Sequence, residues 1–331
     1  MAKMQRLVKL EGFGNVQMAQ ADVPVPGPDE VLVRLSRSLI SRGSELFRRY
    51  VLEEAVSPSM MGYSAAGEVV EAGSAVTGIQ PGDRAMVVAP HAQYGTGSPH
   101  GVAPTAFVLP PDLDDETATF LPLSISAVQW MRHTPMDEGD TVVVMGQGLV
   151  GLLCAQAVRE RRPGRVIAVD AYELRCGIAG ECGADEVINV SDTDPVEAVM
   201  DRTGGVGADV VIECVGGTAG VESFKQAQRM TRAGGVIHLI AKYQAGDGVA
   251  GSGVLPLDSD VMMNKRLVAG VPSREPPPRP VEDAARMLVD GRIQVEPIIT
   301  HRLPWQQAPD AYHMLYQEPA RALGVVLGWD E

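Results

Sequence analysis

From about residue 135 the chain lays down five uninterrupted apolar runs: TVVVMG, RVIAVD, EVINV, DVVIECVG and GGVIHLIA. Segments of helical texture, such as VGLLCAQAVRE and VESFKQAQRM, lie between them. A strand open to water on one face alternates apolar and polar residues, whereas an unbroken apolar strand is covered on both faces. Such strands alternating with helices build a doubly wound α/β layer around a parallel sheet. This pattern assigns residues 129–271 to one domain of that class.

The flanking sequence has another texture. VLVRL (31–35), AGEVVEAG (66–73) and RAMVV (84–88) are short β-like runs, cut by the turns PGPD (26–29) and QPGD (80–83). In those turns Pro presets φ and Gly supplies positive φ. Many short strands at that spacing suggest a small barrel or sandwich. After the parallel layer, REPPPRP (274–280) reads as a stiff connector. A helix, VEDAARMLVDG (281–291), and the strand-like EPIITHRL and ALGVVLGW follow. The 331 residues suffice for two domains, each with its own core.

With 42 acidic and 28 basic residues the net charge is −14, which disfavours nucleic acid as a partner and favours neutral or cationic small molecules. Cys154, Cys176, Cys182 and Cys214 form no C-x-x-C pair and match neither a zinc ribbon nor a disulfide framework, so they read as free thiols of a reducing cytoplasm. The N-terminal MAKMQRLVKL lacks the apolar core of a signal peptide. The most apolar stretch, from Val142 to Val158, contains Gln147, Gln156 and three glycines, and is a poor membrane span. A cytoplasmic protein without a membrane partner is expected.

TVVVMGQGLVG carries G-x-G-x-x-G as Gly146, Gly148 and Gly151. The motif follows an apolar strand and opens a helix, and the next strand ends in Asp170, the context that distinguishes a dinucleotide-binding turn from a chance match. Gly146 permits the tight turn, Gly148 lets the pyrophosphate approach the backbone, and Gly151 lets helix and sheet pack closely. The N–H groups of Leu149 and Val150, at the helix start, favour an anion. Asp170 would accept the ribose hydroxyls and repel a 2′-phosphate, which favours NAD(H) over NADP(H). Arg175 could stack on adenine, or pair with a 2′-phosphate if Asp170 swings away.

With this loop in place, the whole chain resembles the medium-chain dehydrogenase/reductase superfamily of the alcohol and polyol dehydrogenase type. MGYSAAGEVVEAGSAVTGIQPGDRAMV is similar to the segment G-H-E-x-x-G-x-V with its downstream G-D-R-V, and ECGADEVIN and GGVIHLIA also have counterparts. The resemblance implies a GroES-like β-rich catalytic domain made from residues 1–128 and 272–331. The Rossmann domain would be inserted between them, with the active site in the cleft. It also implies cofactor contacts from Val215, Ile240 and Ala241.

Members of this type commonly hold a catalytic zinc through the Cys of C-G-[ST]-D, the His of G-H-E and a Cys or Glu ahead of the inserted domain. Here those positions are Arg42, Tyr63 and Leu121, none of which is a zinc ligand, and the four-cysteine structural lobe is missing. No metal is expected. Arg42 could hydrogen-bond an oxyanion, or pair with Glu45. Ser44 matches the proton-relay hydroxyl of zinc-bearing relatives, or caps a helix. Tyr63 could donate a proton to an alkoxide, or fill space. His91, in APHAQY, is a candidate acid/base or a satisfied histidine. The motifs SRGSE and GYSAAG also resemble the bacteriochlorophyllide-dehydrogenase-like branch.

The implied function is a zinc-independent, NAD(H)-dependent oxidoreductase acting on a secondary alcohol or ketone, on a sugar, cyclitol or similar polar ring. The alternatives are a zinc-free enoyl or quinone reductase and a cofactor-binding protein without turnover. A homodimer paired along KRLVAGV (265–271) is expected.

Overall fold

The structure is a computed structural model that describes residues 2–101, 103–241, 255–270 and 278–330. The chain divides into two compact units, one formed by Met1–Pro122, Pro276–Gly291 and Ile299–Glu331, the other by Leu123–Glu275 and Arg292–Ile298.

The first unit begins with the antiparallel pair β1 (Lys3–Lys9) and β2 (Val16–Asp22). β3 (Val31–Ile40) follows, then a π-helix over Arg42–Tyr50, and then β4 (Ala65–Ala72), β5 (Arg84–Val87), β6 (Tyr94–Gly97) and β7 (Ala106–Val108). The short helix α1 (Asp115–Ala118) starts at Asp114, whose carboxylate accepts the Thr117 N–H at 2.9 Å.

The second unit is entered along α2 (Leu121–His133). It then alternates β8 (Thr141–Met145), α3 (Leu149–Ala157), β9 (Arg165–Asp170), α4 (Glu173–Glu181), β10 (Glu186–Asn189), α5 (Pro195–Arg202), β11 (Ala208–Glu213), α6 (Gly220–Met230), β12 (Thr231–Leu239) and β13 (Arg266–Ala269). These strands form a six-stranded sheet, order β10-β9-β8-β11-β12-β13, with every pairing parallel. Val142, Val143 and Val144 are fully buried, as unbroken apolar runs require. Burying each such side chain contributes roughly 1.5–3 kcal/mol. The doubly wound α/β layer is therefore present as expected.

The chain returns to the first unit through α7 (Pro278–Val289), β14 (Ile299–Pro304), α8 (Ala308–Gln317) and β15 (Gly324–Gly328). Its seven-stranded sheet runs β14-β15-β3-β4-β5-β7, with β6 also paired to β3. β15 lies antiparallel beside β3, so the C-terminus completes the N-terminal sheet. One local expectation fails. Pro278 and Pro280 stand in the first turn of α7 rather than in a connector, because a proline there gives up only an N–H that a helix start leaves unpaired. The rest of that stretch, and Val271 of KRLVAGV, lie outside the described residues.

Candidate active site

The glycine loop turns between β8 and α3. Gly146 has φ +83°, a left-handed conformation that favours glycine. A Cβ on Gly151 would fall 1.8 Å from the Gly146 carbonyl oxygen, so helix and turn touch only because that atom is missing. A Cβ on Gly148 would meet no protein atom within 4 Å. Space is open beside Gly148 and closed at Gly151, where the chain packs on itself. Gly148 is the N-cap of α3, so Leu149 and Val150 supply N–H groups that the helix itself leaves unpaired. Val215 lies against Gly146 and donates its N–H to Glu213 Oε1 (3.0 Å). The N–H groups of Ile240 and Ala241 both reach the Glu213 carbonyl. The end of β11 thus gathers these three residues beside the loop.

Asp170, at the end of β9, is buried and held from three directions. Oδ2 accepts the Gln147 N–H at 2.6 Å, and Oδ1 accepts the N–H groups of Ala171 (2.8 Å) and Tyr172 (2.9 Å). Arg175 lies over the Tyr172 ring, 4.6 Å from its centroid, with Nη1 3.8 Å from Asp170 Oδ2. Its guanidinium faces the carboxylate.

The catalytic candidates of the first unit meet at the π-helix. Ser41, not Ser44, is its N-cap. Glu45 folds back so that Oε1 accepts the Ser41 N–H at 2.8 Å, and this reach displaces the expected capping role from Ser44, which sits inside the helix. Glu45 is completely buried and is also the acceptor for His91 Nε2 (3.0 Å) and the Tyr312 hydroxyl of α8. Burial alone would raise its pKa, but His91 and the donors of Tyr312 and Ser41 bring the carboxyl below its ordinary value. His91 Nδ1 meets Ser38 Oγ at 2.8 Å, and that oxygen accepts the Trp329 indole N–H at 2.8 Å. With the indole donating to Ser38, the serine hydrogen is directed to Nδ1 and the imidazole proton to Glu45, which satisfies every member. His91 is fully buried, so it supports the site from behind.

Tyr63 donates its hydroxyl to Ser41 Oγ at 2.7 Å, with Ser44 a second hydrogen-bonding neighbour. Burial pushes this phenol up, as does the charge of Glu45, while Ser41, Ser44 and Arg49 pull it down; the net direction is upward. Arg42 is directed elsewhere, with Nε on the Leu315 carbonyl of α8 (3.1 Å) and its guanidinium 5.1 Å from the Phe47 ring centroid. Leu121 is buried. Among the described residues no group of three or more His, Cys, Asp or Glu is placed to hold a metal ion. Sequence reading overlooked Ser41, Ser38, Tyr312 and Trp329. Ser41 could have been noticed as the hydroxyl beside Arg42, whereas Tyr312 and Trp329 lie 267 and 291 residues from their partners and carry no local signal.

The cysteines are free thiols. Burial pushes Cys176 and Cys182 up to about 11. No helix among the described residues is long and apolar enough to cross a membrane.

Comparison with known proteins assigns both units. Residues 27–106 match the alcohol dehydrogenase GroES-like domain, and residues 150–288 match the zinc-binding dehydrogenase family. L-threonine 3-dehydrogenase of Pyrococcus furiosus is 28% identical, covering 91% of each chain. Sorbitol dehydrogenase of Halalkalibacterium halodurans is 26% identical, over 94% of this chain and 96% of its own. The alcohol dehydrogenase TADH of Thermus sp. ATN1 superposes with a TM-score of 0.82 at 24% identity, over 98% of this chain and 99% of its own. A dehydrogenase of Sinorhizobium meliloti 1021 with NADP bound gives 0.81 at 25%, over 99% and 100%. The β-rich first unit is thus the GroES-like domain, the doubly wound second unit is Rossmann-like, and the chain belongs to the medium-chain dehydrogenase/reductase superfamily of oxidoreductases.

Proposed function

We propose that this oxidoreductase interconverts a secondary alcohol and a ketone with NAD(H) and without zinc, using Tyr63 as the proton-bearing group. The observation that carries the reading is the residue set at the three metal positions of its relatives. Arg42 cannot bind a cation, Leu121 has no donor atom, and Tyr63 bears a hydroxyl already joined to Ser41 and Ser44. This donor set does not fit a zinc ion.

The chain's own residues supply the rest. The N–H groups of Leu149 and Val150 would hold the pyrophosphate, and Asp170 the adenosine ribose. The three backbone donors that fix Asp170 oppose the swing that a 2′-phosphate would require, and Arg175 faces the same carboxylate, which supports NAD(H). A bound nicotinamide supplies or accepts the hydride at the substrate carbon. Tyr63 holds the proton for the substrate oxygen, Ser41 and Ser44 pass it on, and Glu45 with His91 keeps that corner rigid. The sorbitol dehydrogenase likeness favours a polar, polyol-like substrate.

A second reading, a zinc-free enoyl or quinone reductase, draws on the NADP bound in the Sinorhizobium neighbour. A cofactor-oxidation screen over ketones, sugars and enones with NADH and with NADPH tests both. Ketone turnover with NADH is expected. Enone turnover with NADPH alone would transfer the assignment to the second reading, and cofactor binding without turnover would leave a non-catalytic protein. A homodimer through the edge strand β13 belongs to the main reading, since Leu267 on that strand is 41% exposed.

A further inference from the structure

The π-helix RGSELFRRY carries three arginines against one glutamate. Glu45 is already engaged by Ser41, His91 and Tyr312. Arg42 is directed to Leu315, and Arg48 is exposed. Arg49 differs from both. Its Nη1 is buried and has no hydrogen-bond acceptor among the described residues. Its positive charge reaches the hydroxyls of Tyr63 and Tyr312, favouring their ionised forms. A buried guanidinium N–H that no described residue accepts is costly to keep, and an acceptor on a bound molecule would relieve that cost.

We propose that Arg49 anchors an anionic group of the substrate, a carboxylate or a phosphate, beside the Tyr63–Ser41 hydroxyl pair. The planar guanidinium fork matches both groups in two-point geometry. The substrate class narrows to hydroxy or keto compounds that carry an acid group, such as a keto acid or a ketose phosphate. This runs against the preference for neutral or cationic molecules implied by the net charge of −14. Charges beyond about 8 Å are largely screened at physiological salt, so the local surplus of arginines decides. The inference rests on the reading of Tyr63 given above.

The test is reduction of paired ketones by NADH: acetoacetate against 4-hydroxy-2-butanone, and dihydroxyacetone phosphate against dihydroxyacetone. The wild-type protein is expected to prefer the charged member of at least one pair by roughly tenfold or more in kcat/KM, and the pair showing the preference separates carboxylate from phosphate. Arg49→Gln removes the preference chiefly through KM, while Arg49→Lys keeps part of it. Equal turnover of charged and neutral ketones by the wild type overturns the proposal and leaves a water as the partner of Nη1. If no ketone is reduced, the Tyr63 reading fails, and thermal shift with acetoacetate or dihydroxyacetone phosphate judges Arg49 separately. A rise in Tm in the wild type that Arg49→Gln loses supports the anion site; no rise in the wild type overturns it.

Discussion

Tyr63 keeps its proton because burial and the nearby Glu45 charge outweigh the pull of Ser41, Ser44 and Arg49. Since its pKa lies above the ordinary 10.0, the phenol form persists throughout neutral pH. Ketone reduction, which needs the proton, is predicted to hold steady across that range. Alcohol oxidation, which needs a proton acceptor, is predicted to keep rising past pH 10. Tyr63→Phe is predicted to lower kcat by roughly 10²-fold and to abolish that alkaline rise, as steady-state rates against pH will show. Glu45 titrates with the opposite sign. Its folded pKa is depressed below 4.5, so its contribution to stability is complete above that value and is lost as pH falls through the folded value. Glu45→Gln, which leaves His91 and Tyr312 facing a neutral amide, is predicted to cost roughly 1.5–3 kcal/mol at pH 7, because their hydrogen bonds lose a charged acceptor. Denaturant unfolding is predicted to show that difference shrinking below about pH 4.

The glycine loop gives two substitutions with opposite expectations. Gly151→Ala places a Cβ against the Gly146 carbonyl and is predicted to lower Tm as well as cofactor affinity. Gly148→Ala meets open space, so Tm is predicted to stay unchanged while the Kd for NAD(H) rises by roughly tenfold, about 1.4 kcal/mol. Thermal melts and fluorescence titration separate the two. This loop and the parallel strands were legible in the sequence because their causes are local: unbroken Val and Ile runs, glycines at fixed offsets, and an acid ending the next strand. The π-helix was not. Its wide turn accompanies a Glu45 that reaches back to the Ser41 N–H while held by His91, 46 residues away, and by Tyr312, 267 residues away. A nine-residue window contains neither partner. For the same reason Arg42 stands out in the motif, yet the structure turns it toward Leu315.

Across the whole molecule, the first unit takes its strands from both chain ends, with β15 seated beside β3. Truncation after α8 therefore removes β15 and Trp329 together, along with the indole N–H that Ser38 accepts. The resemblance of the motifs anticipated the family and both fold types, because those motifs mark turns and strand ends that the architecture needs. The residues behind the corner are assembled only by folding. If the dimer forms through β13, sedimentation will give twice the mass of one chain, and a charged residue in place of Leu267 will halve it. In the proposed mechanism this corner works through Tyr63 and its hydroxyl partners with no metal. The most direct measurement is NADH-dependent ketone reduction after exhaustive dialysis against a chelator, with zinc per chain quantified before and after. Substoichiometric zinc at the start and an unchanged kcat at the end are expected. Stoichiometric zinc whose removal abolishes turnover, with activity restored by adding zinc back, would contradict that mechanism.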